Sequence, residues 1–263
     1  MQSMINFPLT QVPTRTQKPR QNGFTMVMDK GMSIREVEDF LSVGAEFTDV
    51  VKLGWSTSAV TPNLKEKLAV YKAHHIPFYF GGTLFEAFYV RNQLDDFRRI
   101  LDEYQAEYME ISDGSVELES EEKCKLIEQF SKDRIVLSEV GSKKAGTILP
   151  PYQWVAMMKA ELEAGSWKVI AEAREGGNVG MFRSDGEVRS DLVDEILRDV
   201  AGEKILWEAP QKVQQVWFIK LLGANVNLGN IAPAEVIPLE TIRLGLRGDT
   251  FHHFLGKTEE SSI

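Results

Sequence analysis

Three glutamates, Glu139, Glu172 and Glu208, each close an apolar run in the second half of the chain. Carboxylates brought together in this way supply hard oxygen donors, which suit a cation such as Mg²⁺. A single glutamate of this kind can simply pair with a nearby lysine or arginine; three at equivalent positions point to a metal-binding or catalytic role. A second set is basic: Lys30, Lys52, Lys143 and Arg174 fall at or just beyond the ends of apolar runs. Their shared task would be to surround a ligand with several negative charges, such as a phosphorylated carboxylic acid. Lys52 interrupts Val50-Val51-Lys52-Leu53, where a charge is costly unless it is paired or functional. Lys143 lies in Gly141-Ser142-Lys143-Lys144-Ala145-Gly146, a loop in which a lysine is ordinarily solvated.

Groups so far apart in sequence meet only if a repeated architecture brings them to one edge. Apolar runs rich in β-branched and aromatic residues recur at 24–28, 49–53, 77–80, 108–112, 134–138, 168–171, 204–207 and 225–228. Amphipathic stretches at 34–43, 63–74, 94–104, 120–131, 152–164, 191–200, 212–222 and 234–244 separate and follow them. Strands alternating with helices predict a parallel sheet, and about eight of them close a (β/α)₈ TIM barrel of a single domain. In such a barrel the strand ends that lead into helices form one functional rim. Asp29, Lys30, Lys52, Gly81-Gly82-Thr83, Asp113, Glu139, Glu172, Arg174, Glu208 and Asn227 occupy those ends. Their spread over nearly all the strands favours a barrel over an open doubly wound sheet, whose site sits at one switch point.

The domain plan is an N-terminal arm over 1–22, a catalytic barrel over 23–251 and a C-terminal tail over 252–263. The arm contains Pro8, Pro13 and Pro19 with Arg15, Lys18 and Arg20, and reads as mobile or as packing on a neighbouring subunit in a homo-oligomer. It has no apolar core of a secretory signal, which predicts a cytoplasmic protein. A net charge of -9 argues against binding nucleic acid, and no apolar stretch is long enough for a membrane span. Cys124 is alone and forms no intrachain disulfide. The pairs His74-His75 and His252-His253 lack zinc-site spacing. Gly81-Gly82-Thr83, Gly176-Gly177-Asn178 and Gly229-Asn230 could let backbone N–H groups approach an anion, or could serve turn geometry alone.

Several segments in order resemble the phosphosulfolactate synthase family. They are Asp29-Lys30-Gly31, Lys52-Leu53-Gly54-Trp55-Ser56-Thr57-Ser58, Gly81-Gly82-Thr83-Leu84-Phe85-Glu86 and Glu110-Ile111-Ser112-Asp113-Gly114. Glu139-Val140-Gly141, Glu208-Ala209-Pro210-Gln211, Val226-Asn227-Leu228 and Leu246-Arg247-Gly248-Asp249-Thr250-Phe251 continue the series, so the resemblance spans 24–251. Glu172-Ala173-Arg174-Glu175 departs from it, with Ala173 where the family is expected to have glycine. The resemblance implies a TIM barrel, often oligomeric, that uses Mg²⁺ to add sulfite to phosphoenolpyruvate, giving 2-phospho-3-sulfolactate. It implies Lys143 as proton donor, Lys30, Lys52, Arg174 and Arg247 as substrate-binding cations, and leaves Glu139, Glu172 and Glu208 for the metal. Two other readings share these residues: another Mg²⁺-dependent barrel enzyme forming an enolate from phosphoenolpyruvate, and a non-catalytic stress-associated homologue.

Overall fold

The structure is a computed structural model that describes residues 5–141, 149–173, 180–182 and 187–256. Eight strands alternate with helices: β1 (Thr25–Asp29), β2 (Val50–Leu53), β3 (Phe78–Phe80), β4 (Tyr108–Ile111), β5 (Ile135–Val140), β6 (Lys168–Ala171), β7 (Ile205–Glu208) and β8 (Leu228–Ile231). Every ladder between them is parallel, in the order β3-β2-β1-β8-β7-β6-β5-β4. β3 and β4 lie side by side and bring the two ends of the sheet together, although among the described residues no ladder joins them. This is the expected single-domain (β/α)₈ barrel.

Alternation along the strands divides the core in two. Met26, Val50, Tyr79, Leu137, Ile170 and Leu206 fill the inside of the barrel, with Phe24 below them. Their strand neighbours Val27, Val51, Phe78, Val136, Val169 and Ile205 face outward into a larger layer beneath the helices. A strand buried on both faces reads as a near-continuous apolar run, which is why the strands are legible in the sequence. Helices α1 (Ile34–Gly44) and α2 (Leu64–Ala73) follow β1 and β2. In α1, Ser33 and Glu36 form the capping box that their spacing predicts. After β3 come two helices, α3 (Gly82–Tyr89) and α4 (Leu94–Tyr104), where the sequence suggested a glycine loop and one helix. The remaining helices are α5 (Ser120–Phe130), α6 (Pro151–Glu163), α7 (Ser190–Asp199), α8 (Lys212–Leu222) and α9 (Val236–Arg243).

Seven strands lie within two residues of their expected positions, and β8 is the exception. The expected run at 225–228 ends where the strand begins, because Asn225 and Asn227 spend their side chains on the barrel floor. Asn227 Nδ2 donates to Glu203 O (3.1 Å) and Ile205 O (3.0 Å), and its Oδ1 accepts from Phe24 N (3.0 Å). Asn227 therefore belongs to the floor, not to the functional rim. Gly229 and Asn230 lie inside β8 and not in an anion-binding loop. A side chain at Gly229 would meet Met26 Cε at 2.8 Å, so close packing accounts for this glycine.

The arm folds back on its own barrel. Arg15 Nε donates to Glu240 Oε1 (2.7 Å), and its Nη atoms reach Ala224 O (3.1 Å) and Gly23 O (3.2 Å). Arg20 bonds Asp49 Oδ1 (3.1 Å), while Lys168 Nζ, rising from β6, donates to Gln21 O (2.6 Å). These contacts seal the end opposite the functional rim, so the stretch from Arg15 to Gln21 is docked on its own barrel. No helix among the described residues is long and apolar enough to cross a membrane.

Breaking one partner of a buried pair leaves the other charge uncompensated. Arg15→Ala should lower the unfolding free energy by about 3–5 kcal/mol. Lys65→Ala, which breaks the Lys65–Glu103 pair whose side chains are 67% and 51% exposed, should change it by about 1 kcal/mol or less. Urea unfolding of both variants checks the contrast, and equal losses would contradict a sealed floor.

Candidate active site

The interior parity of β2, β4, β5 and β7 points Lys52, Glu110, Glu139 and Glu208 to the barrel axis, one step above the apolar layer. Lys52 Nζ lies 2.9 Å from Glu110 Oε2, 3.6 Å from Glu208 Oε1 and 3.9 Å from Glu139 Oε2. All four side chains are buried, and the Tyr79 phenol from β3 is buried beside them. The charge in the middle of an apolar strand is thus explained: Lys52 is the central cation of a carboxylate ring.

The electrostatics follow from burial and charge imbalance. Burial alone would lower the pKa of Lys52, but Glu110, Glu208 and Glu139 outweigh it and hold the ammonium above the usual lysine range. Burial is the main cause that pushes Glu208 up to about 7; Glu139 and Glu110 add to the rise, while Lys52 and the Ala173 N–H oppose it. That N–H donates to Glu208 Oε2 at 2.9 Å. The contribution of Ala173 to the site is made by its backbone, and its methyl group is fully buried. Tyr79 is raised well above the ordinary phenol range, by burial first and then by the neighbouring carboxylates.

Around this centre, other buried groups fix the loops. Asp29 accepts from Gly31 N (2.8 Å), Met32 N (2.8 Å) and Tyr71 Oη (2.8 Å), and pairs with Lys67 Nζ at 2.6 Å. It is a brace for the β1–α1 turn. That turn carries Lys30, whose Nζ sits 4.7 Å from the centre of the Trp55 ring on the next loop. Lys123, from α5, is 1% exposed; it donates to Glu139 O (2.6 Å) and pairs with Glu161 (2.8 Å) and Asp113 (3.3 Å). It supports the end of β5 from behind.

Glu172 is buried just past β6, and its N–H donates to Val140 O at 3.1 Å. Arg247 pairs instead with Asp249 (3.4 Å), which also binds Lys212 (3.1 Å), so its ion pair lies outside the central ring. Lys143, Arg174 and Gly176-Gly177-Asn178 lie outside the described residues. Glu110 and Tyr79 were absent from the expected site, yet Glu110 carried the same signal as Lys52, a charge within an apolar run. An open groove of about 1120 Å³ that includes Ile76, Glu107 and Arg134 sits at the opposite, N-terminal ends of the strands, away from this centre.

The donor set can be tested against a hard cation. Glu139, Glu172 and Glu208 are buried oxygen donors, and with Glu110 also buried against the one ammonium of the ring, the excess negative charge fits a divalent ion. Among the described residues, however, no three acidic, histidine or cysteine side chains already stand in metal-holding geometry.

Residues 13–249 match the family described as (2R)-phospho-3-sulfolactate synthase (ComA). The chain belongs to the phosphosulfolactate synthase family. It is 41% identical over 251 residues to the phosphosulfolactate synthase of Bacillus subtilis (strain 168), covering 94% of this chain and 99% of that protein. The phosphosulfolactate synthase of Methanocaldococcus jannaschii is 43% identical over 238 residues, covering 88% and 94%. This family membership marks the chain as an enzyme. Among solved structures, 3-hexulose-6-phosphate synthase from Salmonella typhimurium superposes with a TM-score of 0.56 at 12% identity, covering 85% of this chain and 100% of that one. A 3-keto-L-gulonate-6-phosphate decarboxylase from Vibrio cholerae gives 0.54 at 12% identity, covering 88% and 99%. These two share the barrel fold.

The Glu208 shift sets a pH dependence. An unfolded glutamate loses its proton near pH 4.3, roughly, whereas folded Glu208 keeps it to about 7. Between those values the folded state binds more protons, so its stability falls as pH rises and levels off above the folded pKa. In chelator-treated protein, Glu208→Gln should remove this fall, a change in pH slope worth on the order of 3 kcal/mol across the window. Urea titrations at about pH 5 and pH 8 measure it; parallel slopes for the two proteins would show an ordinary carboxylate.

Proposed function

We propose that this enzyme adds sulfite to phosphoenolpyruvate and gives 2-phospho-3-sulfolactate, with Mg²⁺ as its cofactor. The observation that carries the reading is the buried Lys52 ring at the strand ends of a barrel belonging to this family. The sulfite sulfur forms a bond to the methylene carbon. The double-bond electrons move toward the substrate carboxylate, and a proton delivered to the phosphate-bearing carbon completes the product. Fixed positive charge near that carboxylate stabilises the transition state more than the ground state.

Lys52 is assigned to holding an anionic group of the substrate from the axis, in ground and transition state alike, and its buried carboxylate partners keep it protonated. Lys30, ordered against Trp55, and Arg174 are assigned to the outer anionic groups of the substrate. Arg247 is retained as a substrate-binding cation on the strength of the resemblance alone. Glu139, Glu172 and Glu208 are assigned to Mg²⁺, which when bound would neutralise negative charge developing on the substrate. Lys143 is assigned as the proton donor. The same reading includes a cytoplasmic location and a homo-oligomer. Exposed Leu9 and Leu255 flank the hydrogen bond from Gly256 N to Gln11 Oε1 (3.1 Å) and offer an apolar contact, which sedimentation would test.

The deciding assay incubates the purified protein with phosphoenolpyruvate, sulfite and Mg²⁺ and detects the sulfonate by mass spectrometry. Consumption of phosphoenolpyruvate without sulfite would indicate a different enolate-forming enzyme, and no turnover would leave a non-catalytic homologue. Lys143→Ala should retain phosphoenolpyruvate binding and lose about a hundredfold to ten-thousandfold in turnover, with Lys144→Ala nearly silent. Wild-type turnover in Lys143→Ala would overturn the proton-donor assignment. Glu139→Gln and Glu172→Gln should each shift the Mg²⁺ dependence to higher concentration without unfolding the barrel. Unchanged titrations would remove both from the ligand set.

A further inference from the structure

Glu110 is the carboxylate nearest to Lys52, and its two oxygens have different partners. Oε2 lies 2.9 Å from Lys52 Nζ, while Oε1 accepts a hydrogen bond from Gly82 N at 2.8 Å. Gly82 begins α3, directly across the seam between β3 and β4 that no ladder spans among the described residues. The approach is so close that a side chain on Gly82 would stand 2.6 Å from Glu110 Oε1 and would collide with Ser112 Oγ. One helical turn later, Glu86 accepts from Gly114 N (2.8 Å) and Ser115 N (3.0 Å), and Ser112 Oγ also donates to it. The first two turns of α3 are thus tied to the end of β4, and Glu110 is held between them and the lysine.

We propose that Glu110 is a positioning residue: it commits Lys52 to one place on the barrel axis and, by doing so, leaves Glu139 and Glu208 available to other cations. The reasoning is one of competition. Lys52 has three carboxylates within 3.9 Å, and without a preferred partner it would distribute among them. Glu110 wins because its carboxylate is already oriented by the Gly82 N–H and stands nearest. Of the other two, Glu208 is engaged from elsewhere, its Oε2 accepting from Ala173 N (2.9 Å), and Glu139 stands farthest from the ammonium, at 3.9 Å. With one oxygen on a backbone donor and one on Lys52, Glu110 serves the lysine rather than a metal. The proposal rests on the reading of Lys52 as a substrate-binding group.

Glu110→Gln separates the two tasks of the side chain. Its amide oxygen can still accept from Gly82 N–H, but its NH₂ group faces the Lys52 ammonium, donor against donor. The KM for phosphoenolpyruvate should rise about tenfold with kcat within about twofold, the signature of lost uniform binding. Glu110→Asp, which restores the charge, should recover part of that loss. Hydrogen exchange at the Gly82 amide should remain slow in Glu110→Gln and become fast in Glu110→Ala, reporting the seam contact apart from the charge. A crystal structure of Glu110→Gln should show Lys52 Nζ moved toward Glu208.

A wild-type KM in Glu110→Gln with Lys52 unmoved would overturn the proposal. So would a collapse of kcat at unchanged KM, which would make Glu110 a participant in the chemistry, or a Mg²⁺ titration shifted as far as in Glu139→Gln, which would make it a ligand. Should the wild-type protein form no sulfonate, the functional reading fails alone. The position of Lys52 in the Glu110→Gln crystal structure then still decides whether Glu110 positions it.

Discussion

Lys52 brings a single positive charge to the axis of the barrel, where carboxylates from three other strands lie within 3.9 Å. Water cannot screen these charges, so each strand end is constrained by the charges on the others. The balance is lopsided toward negative charge, and the protein relieves it by letting Glu208 hold a proton up to about pH 7. Such a ring is poorly stable as a structural element, since a buried ion pair recovers only part of its desolvation penalty. Its retention in a barrel with ample apolar core is the physical mark of a functional centre.

The rest of the molecule can be read as support for that centre. Below it lies a layer of Met26, Val50, Leu137, Ile170 and Leu206, which excludes solvent from underneath. Behind it, Lys123 and Glu161 place a second buried ion pair between α5 and α6, fixing the carbonyl of Glu139. In front, Asp29 gathers two backbone N–H groups, a phenol and an ammonium to set the turn bearing Lys30. These polar groups are buried and partnered, which orients the ring more rigidly than apolar contacts alone would.

Much of the barrel was legible in the sequence because its strands are apolar on both faces and its helices are amphipathic. Lys52, Glu139 and Glu208 were legible for the same reason, as charges that break or end apolar runs. Glu110 broke its run just as visibly, but Asp113 beyond it looked like the strand end and drew the assignment. Asn227 shows the converse error. An asparagine at the start of a strand and one at its end look alike until the ladder fixes the register, and here the ladder begins at Leu228. Lys123 gave no signal at all, since Glu121-Glu122-Lys123-Cys124-Lys125 reads as a solvated helix face. α3 was hidden because Gly82 opens it and Gly81 precedes it, both of low helix propensity, and the helix is retained by its ties to β4.

The sealed floor also bears on how the chain comes off the ribosome. Arg15 is made early, but its partners Ala224, Asn225 and Glu240 are more than 200 residues downstream. Throughout synthesis of the intervening strands Arg15 lacks these partners, although Arg20 can already meet Asp49, and the barrel has no finished floor. Contacts of such sequence separation form late, after the loop-closure entropy of nearly the whole chain has been met. A sheet that lacks its later strands presents unpaired edges until they are made. Docking of Arg15 onto α9 therefore waits until Glu240 has been made, which joins the first residues of the floor to the last helix of the barrel.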